Sequence, residues 1–173
     1  MPRLVLPSVK YKKSFLEDFL GHSEMQDEYN LTGVPKKEVP RKFSEFIKNL
    51  KLQSQGVYPK KGLVPQTVFW LVDGKKFLGK LSIRHKLNNR LRTIGGHIGY
   101  YIRPNERSKG YGKLILKLGL KKAKALGIKD VLVTCDITNL KSKKVIETNG
   151  GRLAGKTRQE KGLPNKLRYW IKT

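Results

Sequence analysis

The chain has 173 residues, 38 per cent of them apolar, and carries 38 Lys plus Arg against 13 Asp plus Glu, a formal net charge of +25. That length suits one domain spanning residues 1–173 with a real core, and the apolar share, with Trp, Tyr and Phe spread along the chain, argues against disorder. No run of about 18 apolar residues occurs, which excludes a membrane-spanning helix, and the single cysteine, Cys135, excludes an internal disulfide and a Cys-rich zinc site.

Taken in chain order, residues 1–7 hold too short an apolar stretch for a secretory signal, so a reducing cytoplasm is the expected location. Residues 3–9 alternate and predict a first strand. Residues 11–20 and 39–52 predict amphipathic helices, the second with Phe43, Phe46, Ile47 and Leu50 on one face. Between them fall Glu24, Asp27 and Glu28, an acidic cluster in a basic chain. Residues 54–66 predict a loop.

Residues 67–72 predict a strand, Asp73-Gly74 a hairpin turn and residues 77–84 the partner strand. A loop over 86–92 leads to a strand over 96–103. A long helix is expected over 110–126, with Leu114, Ile115, Leu118, Ala125 and Leu126 inward and Gly127 as its stop. Residues 130–135 form a β-branched run suited to a buried strand. A short helix over 141–148 ends at Asn149-Gly150-Gly151, and residues 167–171 predict a last strand. Antiparallel hairpins followed by a strand-helix-strand unit imply a mixed α/β sheet with helices on both faces.

The charge raises the odds of a polyanionic partner. Lys113, Lys117, Lys121 and Lys124, however, follow helical spacing and read as one solvated stripe.

The segment Arg107-Ser108-Lys109-Gly110-Tyr111-Gly112 follows a predicted strand and opens a predicted helix. Two glycines let the backbone turn tightly and approach a ligand closely. Successive N–H groups at a helix N-terminus form a pyrophosphate cradle, and Arg107 and Lys109 add full charges beside it. No Gly-Lys-Ser/Thr follows, which excludes a Walker loop, and a dinucleotide fingerprint would need a third glycine and a later acid.

These residues resemble the GNAT acetyltransferase family, whose motif is Arg/Gln-x-x-Gly-x-Gly/Ala between the fourth strand and third helix; Arg107, Gly110 and Gly112 fit it. Gly99-Tyr100-Tyr101-Ile102-Arg103-Pro104 looks like the family's fourth strand, residues 130–135 like its fifth, and Asn139 with Ser142 like the start of its last helix. Asn149-Gly150-Gly151 stands where the family often has Leu-Gly-Phe. Residues 95–100, with Thr134-Cys135-Asp136 and Lys144-Val145-Ile146-Glu147, are similar to a subgroup of bacterial acetyltransferases without a settled substrate. The good resemblance covers roughly residues 67–151.

The resemblance implies a mixed, mostly antiparallel α/β sheet of about six or seven strands with helices on both faces, and an acetyl-CoA-dependent N-acetyltransferase acting on a primary amine by direct attack. It implies that backbone amides of Lys109, Gly110, Tyr111 and Gly112, with Arg107 and Ser108 alongside, bind the coenzyme A pyrophosphate. The strand edge at Tyr100, Tyr101 and Ile102 would pair with the pantetheine arm, Asn139 and Ser142 would contact that arm, and Lys143 or Lys144 would meet the 3′-phosphate. No metal is implied, and relatives occur as monomers or homodimers. Many relatives use a last-helix tyrosine to protonate the thiolate; Ile146 stands there, leaving Tyr100, Tyr101 and Cys135 as substitutes. Where many carry a glutamate base stands His97, whose ordinary pKa near 6.5 suits proton uptake; a ring merely hydrogen-bonded in the sheet is the bland alternative. Glu28 is an alternative base, in a region suited to a cationic acceptor. Cys135 reads as a small core residue, and His22 and His85 receive no role. Two readings compete: a basic nucleic-acid or ribosome-associated binding module, and a relative that binds acetyl-CoA without catalysis.

Overall fold

The computed structural model describes residues 1–22, 30–58, 63–158 and 164–173. Its strands are β1 (Arg3–Val5), β2 (Gln66–Asp73), β3 (Lys76–Arg84), β4 (Ile98–Ile102), β5 (Asp130–Asp136), β6 (Arg152–Thr157) and β7 (Lys166–Lys172). They form one sheet in the order β1-β2-β3-β4-β5-β7-β6, antiparallel throughout except where β4 meets β5. The α-helices among the described residues are α1 (Lys12–Gly21), α2 (Phe43–Leu52), α3 (Tyr111–Ala125) and α4 (Leu140–Thr148).

The period-2 alternation of the strands divides the core between two faces. On one face Phe69, Leu71, Leu81, Ile98, Val133, Cys135 and Tyr169 pack against Ile115, Leu116 and Ala123 of α3 and Ile146 of α4. On the other, Val68, Trp70, Val72 and Tyr101 meet the apolar faces of α1 and α2. Phe15 of α1 stacks on Trp70 with ring centroids 4.6 Å apart and touches Phe43 and Phe46 of α2. The Phe43, Phe46, Ile47 and Leu50 stripe is buried as its spacing requires.

Several expected boundaries move. The first strand stops at Val5 because Pro7 has no N–H for a ladder and Ser8 caps a 3-10 turn over Val9–Tyr11. The second helix starts at Phe43; Pro40 lies in a turn that follows the short 3-10 turn Lys36–Glu38. The buried face of α3 is Ile115, Leu116, Gly119 and Ala123, whereas Ala125 and Leu126 are exposed. Gly119 belongs to that face because a Cβ there would lie 2.4 Å from Leu81 Cδ1, so α3 crosses β3 at close range. Lys113, Lys117, Lys121 and Lys124 are exposed. β6 has no counterpart in the sequence reading. It is an edge strand with mostly exposed side chains and a bulge between Leu153 and Gly155, so it carries no apolar alternation.

Candidate active site

β4 and β5 run parallel and share the register pair Ile98↔Val133. β5 continues to Asp136 against β7, and β4 continues to Ile102 against β3. Among the described residues the β4–β5 pairing goes no further, so the facing edge of β4 from Gly99 onward parts from β5. At the foot of this opening α3 begins. Gly110, at its N-cap, has φ +81°, a left-handed conformation that costs an L side chain roughly 1–2 kcal/mol. A Cβ on Gly110 would meet nothing within 4 Å, so its conformation and not its space demands glycine. Gly112 is the reverse case: a Cβ there would sit 3.2 Å from Val145 Cγ2 of α4. Ser108 also has positive φ, at 63°. The first-turn N–H groups of α3 therefore open onto a sharply turned loop beside α4, a geometry that fits a diphosphate.

The charges beside the loop are more committed than the sequence suggested. Lys109 Nζ lies 3.0 Å from Glu106 Oε2, and Lys76 Nζ lies against Glu106 Oε1. Glu106 is buried, and its hydrogen bond from Lys76 leads the interactions that hold its carboxyl below the usual range. Lys109 is thus partly neutralised at the loop. Arg107 donates from Nε to Ile102 O at 3.0 Å and lies 5.7 Å from the Tyr101 ring centre. It closes the end of β4 and occupies the Ile102 carbonyl expected to pair with pantetheine.

Across the opening, the Tyr100 hydroxyl and Ser142 Oγ are 2.8 Å apart. Ser142 is held by Asn139, whose Oδ1 accepts the Ser142 backbone N–H at 2.9 Å as the N-cap of α4. Burial pushes the Tyr100 phenol up to about 12. Two hydroxyls thus meet where β4 faces α4. Ile146, at the family's usual tyrosine position, is fully buried, and Cys135 lies in the same core with its thiol pushed up by burial. Lys144 is exposed on α4 and Lys143 half-buried.

The structure gives His97 a bond that conflicts with a base. Leu132 N–H donates to His97 Nδ1 at 2.9 Å, while His97 N–H donates to Leu132 O at 2.7 Å. Burial, aided by Arg92 and Arg84, lowers the ring to about 4, so it is neutral at physiological pH. With Nδ1 accepting, this hydrogen-bond network assigns the ring proton to Nε2, and the one lone pair is engaged within the sheet. His97 is a sheet fastener and an Nε2–H donor.

On the α1 side of β4 lies a constellation that the sequence reading missed. Asp18 is fully buried; its Oδ1 accepts from the Tyr101 hydroxyl at 3.3 Å, lies 3.1 Å from His22 Nδ1 and 3.7 Å from Arg103 Nε. Burial pushes the Asp18 carboxyl up, against the pull of Tyr101, His22 and Arg103. The i, i+4 spacing of Asp18 and His22 on α1 is the one trace of this arrangement in the sequence. Glu28, with Glu24 and Asp27, lies outside the described residues.

The family model described as the acetyltransferase (GNAT) domain matches residues 3–152. Among solved structures, the fold is similar to Mycobacterium smegmatis RimJ in complex with a coenzyme A disulfide, at 17% identity over 99% of this chain and 82% of that one, with a TM-score of 0.69. It is also similar to RimL, a ribosomal L7/L12 alpha-N-protein acetyltransferase in complex with coenzyme A, at 15% identity over 99% and 93% with a TM-score of 0.68. A third is the microcin C7 self-immunity acetyltransferase MccE in complex with acetyl-CoA and AMP, at 18% identity over 99% and 92% with a TM-score of 0.64. No curated protein matches the sequence significantly. With the family model matched over residues 3–152 of this chain, the chain belongs to the GNAT acetyltransferase family.

Proposed function

We propose that the protein transfers acetyl from acetyl-CoA to a primary amine by direct attack in a ternary complex. The observation that carries this reading is the parting of β4 from β5 directly above the Gly110 turn, with the Tyr100–Ser142 hydroxyl pair alongside. Acetyl-CoA supplies the activated thioester. The residues suited to hold it are the amides of Lys109 to Gly112 for the diphosphate, with Arg107 and Ser108 beside them, and the β4 edge at Tyr100 and Tyr101 for the arm. Asn139 sets the start of α4, and Lys144 offers a cation near it. Holding amine and thioester together supplies much of the acceleration, since good orientation is worth about 7–11 kcal/mol.

Tyr100 and Ser142 are the groups we assign to the leaving sulfur, as hydrogen-bond donors. A phenol at about 12 is a weak acid, so its contribution is a hydrogen bond while solvent completes the proton transfer. For proton uptake from the amine we assign His22. Its Nδ1 hydrogen donates to Asp18, which leaves the lone pair on Nε2. Glu28 stays a candidate from the sequence. The acceptors named for similar structures, a ribosomal protein N-terminus and spermidine, define the first compounds to try.

Calorimetric titration of acetyl-CoA into the wild-type protein and a Gly110→Asp/Gly112→Asp variant tests the reading. Binding that the variant loses, followed by coenzyme A release with spermidine or an N-terminal peptide, supports it. A folded wild-type protein that binds no acetyl-CoA overturns it.

A further inference from the structure

A second concavity lies at the opposite end of β4 from the Arg107–Gly112 loop. It is an open cavity of about 450 Å³ lined by Lys86, Arg92, His97, Lys129, Asp130 and Trp170, with Leu87 as a further apolar contact. Paired residues share a face, so Ile98↔Val133 and Leu132↔Trp170 put His97 and Trp170 on the sheet face opposite α3, the face that α1 and α2 share. The Trp170 and His97 rings are 6.3 Å apart.

The cavity wall is built and not a loose loop. The β3–β4 connection contains a π turn, Leu91–Gly95, ended by Gly96 at φ +65°. Gly96 comes so close to β5 that a Cβ would lie 2.5 Å from Leu132 O. Arg84 Nη1 donates to Gly95 O at 3.1 Å and Gly96 O at 3.2 Å, and Thr134 Oγ1 donates to Ile94 O at 2.9 Å. π turns of this kind recur at functional sites. The Lys86, Arg92 and Lys129 side chains project from this frame, exposed and without an ion-pair partner among the described residues. Asp130 is the one carboxylate among the described residues of the wall.

Three cations, a half-buried indole and an imidazole N–H in a cavity of this size match an anion attached to a flat ring system. We propose that this cavity binds a nucleotide, with its base against Trp170 and its phosphate held by Lys86, Arg92 and Lys129. A free nucleotide and a nucleotide at the end of an RNA strand carry this same chemistry. The site is separate from the loop assigned to coenzyme A, and it gives part of the +25 charge a specific use.

Tryptophan fluorescence reads the site directly. Trp170 is one of two tryptophans, and the other, Trp70, is fully buried beneath α1. AMP and, separately, a 5′-phosphorylated oligoadenylate are titrated into the full chain with acetyl-CoA at about one equivalent, so that the coenzyme A site is filled against AMP while little free coenzyme A adenine remains to compete at the cavity. Saturable quenching is expected, lost in Trp170→Phe and weakened about tenfold or more in Arg92→Ala, given 1.5–3 kcal/mol for a hydrogen bond to a charged group. Quenching by AMP alone identifies a free nucleotide, and much tighter quenching by the oligonucleotide identifies RNA. The Gly110→Asp/Gly112→Asp variant, titrated without acetyl-CoA, is expected to keep AMP binding, so the two sites fail independently. No quenching by either probe at millimolar concentration overturns the proposal. So does unchanged affinity in a folded Lys86→Ala/Arg92→Ala/Lys129→Ala variant, or equal binding of polyglutamate.

Discussion

The Tyr100 hydroxyl and Ser142 Oγ stand 2.8 Å apart, bridging the splayed end of β4 to the first turn of α4. Ser142→Ala leaves a largely buried phenol without this partner and is expected to cost about 1–3 kcal/mol of stability, measured by denaturant unfolding. Tyr100→Phe instead leaves the Ser142 hydroxyl without this partner, at the start of α4 where it can turn toward water, and should cost less. Because burial pushes Tyr100 up to about 12, phenolate absorbance in an alkaline titration of the wild type should lose almost nothing below pH 11 when Tyr100 is replaced. A clear loss near pH 10 would contradict the buried pair.

The two loop glycines should separate conformation from contact. Gly110→Ala meets no atom but must adopt φ +81°, so it is expected to lower stability by roughly 1–2 kcal/mol while retaining acetyl-CoA binding. Gly112→Val crowds Val145 and should push α4 from α3, weakening acetyl-CoA binding more than Gly110→Ala does. Calorimetry on both variants checks the order, and equal losses would show that the close α3–α4 approach does not shape the site.

His97 makes a signed pH prediction. Its folded pKa of about 4 lies below the ordinary 6.5, so between these values the unfolded chain binds a proton that the fold refuses. The contribution is fully present above pH 6.5 and is lost as pH falls toward 4, by at most about 3 kcal/mol. His97→Gln should flatten melting temperature against pH across that window. A wild-type profile already flat there would remove the buried neutral ring from the account.

Glu106 ties the loop to the β2–β3 hairpin through Lys76 and Lys109. Its depressed pKa means that this stabilisation is present above the ordinary carboxylate value and is lost as pH falls through the lower folded one. Glu106→Gln keeps the shape but removes the charge. Both lysines are about half exposed, so solvent screening limits the expected cost to about 1–2 kcal/mol. Acetyl-CoA affinity, read in the same samples, should rise slightly because Lys109 is released toward the diphosphate; a fall would mean that Glu106 matters chiefly by holding the loop in place.

Local signals in the sequence settled much of this protein. The hairpin turn at Asp73-Gly74 between β2 and β3, the 3.6-residue spacing of Phe43, Phe46, Ile47 and Leu50 in α2 and the β-branched run in β5 each depend on neighbours along the chain, and these elements appear as read, with α2 starting four residues later than expected. The Arg107–Gly112 loop was legible for the same reason, since a left-handed turn at a helix start requires glycine at a fixed offset. What only the tertiary structure decided involves partners far apart in the chain. The Leu132 amide takes the His97 lone pair from 35 residues away and changes a candidate base into a fastener. Tyr101 meets Asp18 across 83 residues, and Tyr100 meets Ser142 across 42. β6 stayed silent because an exposed edge strand needs no apolar pattern. Backbone propensity is local and can be read in order, whereas protonation, tautomer and charge pairing depend on which side chains the sheet brings together.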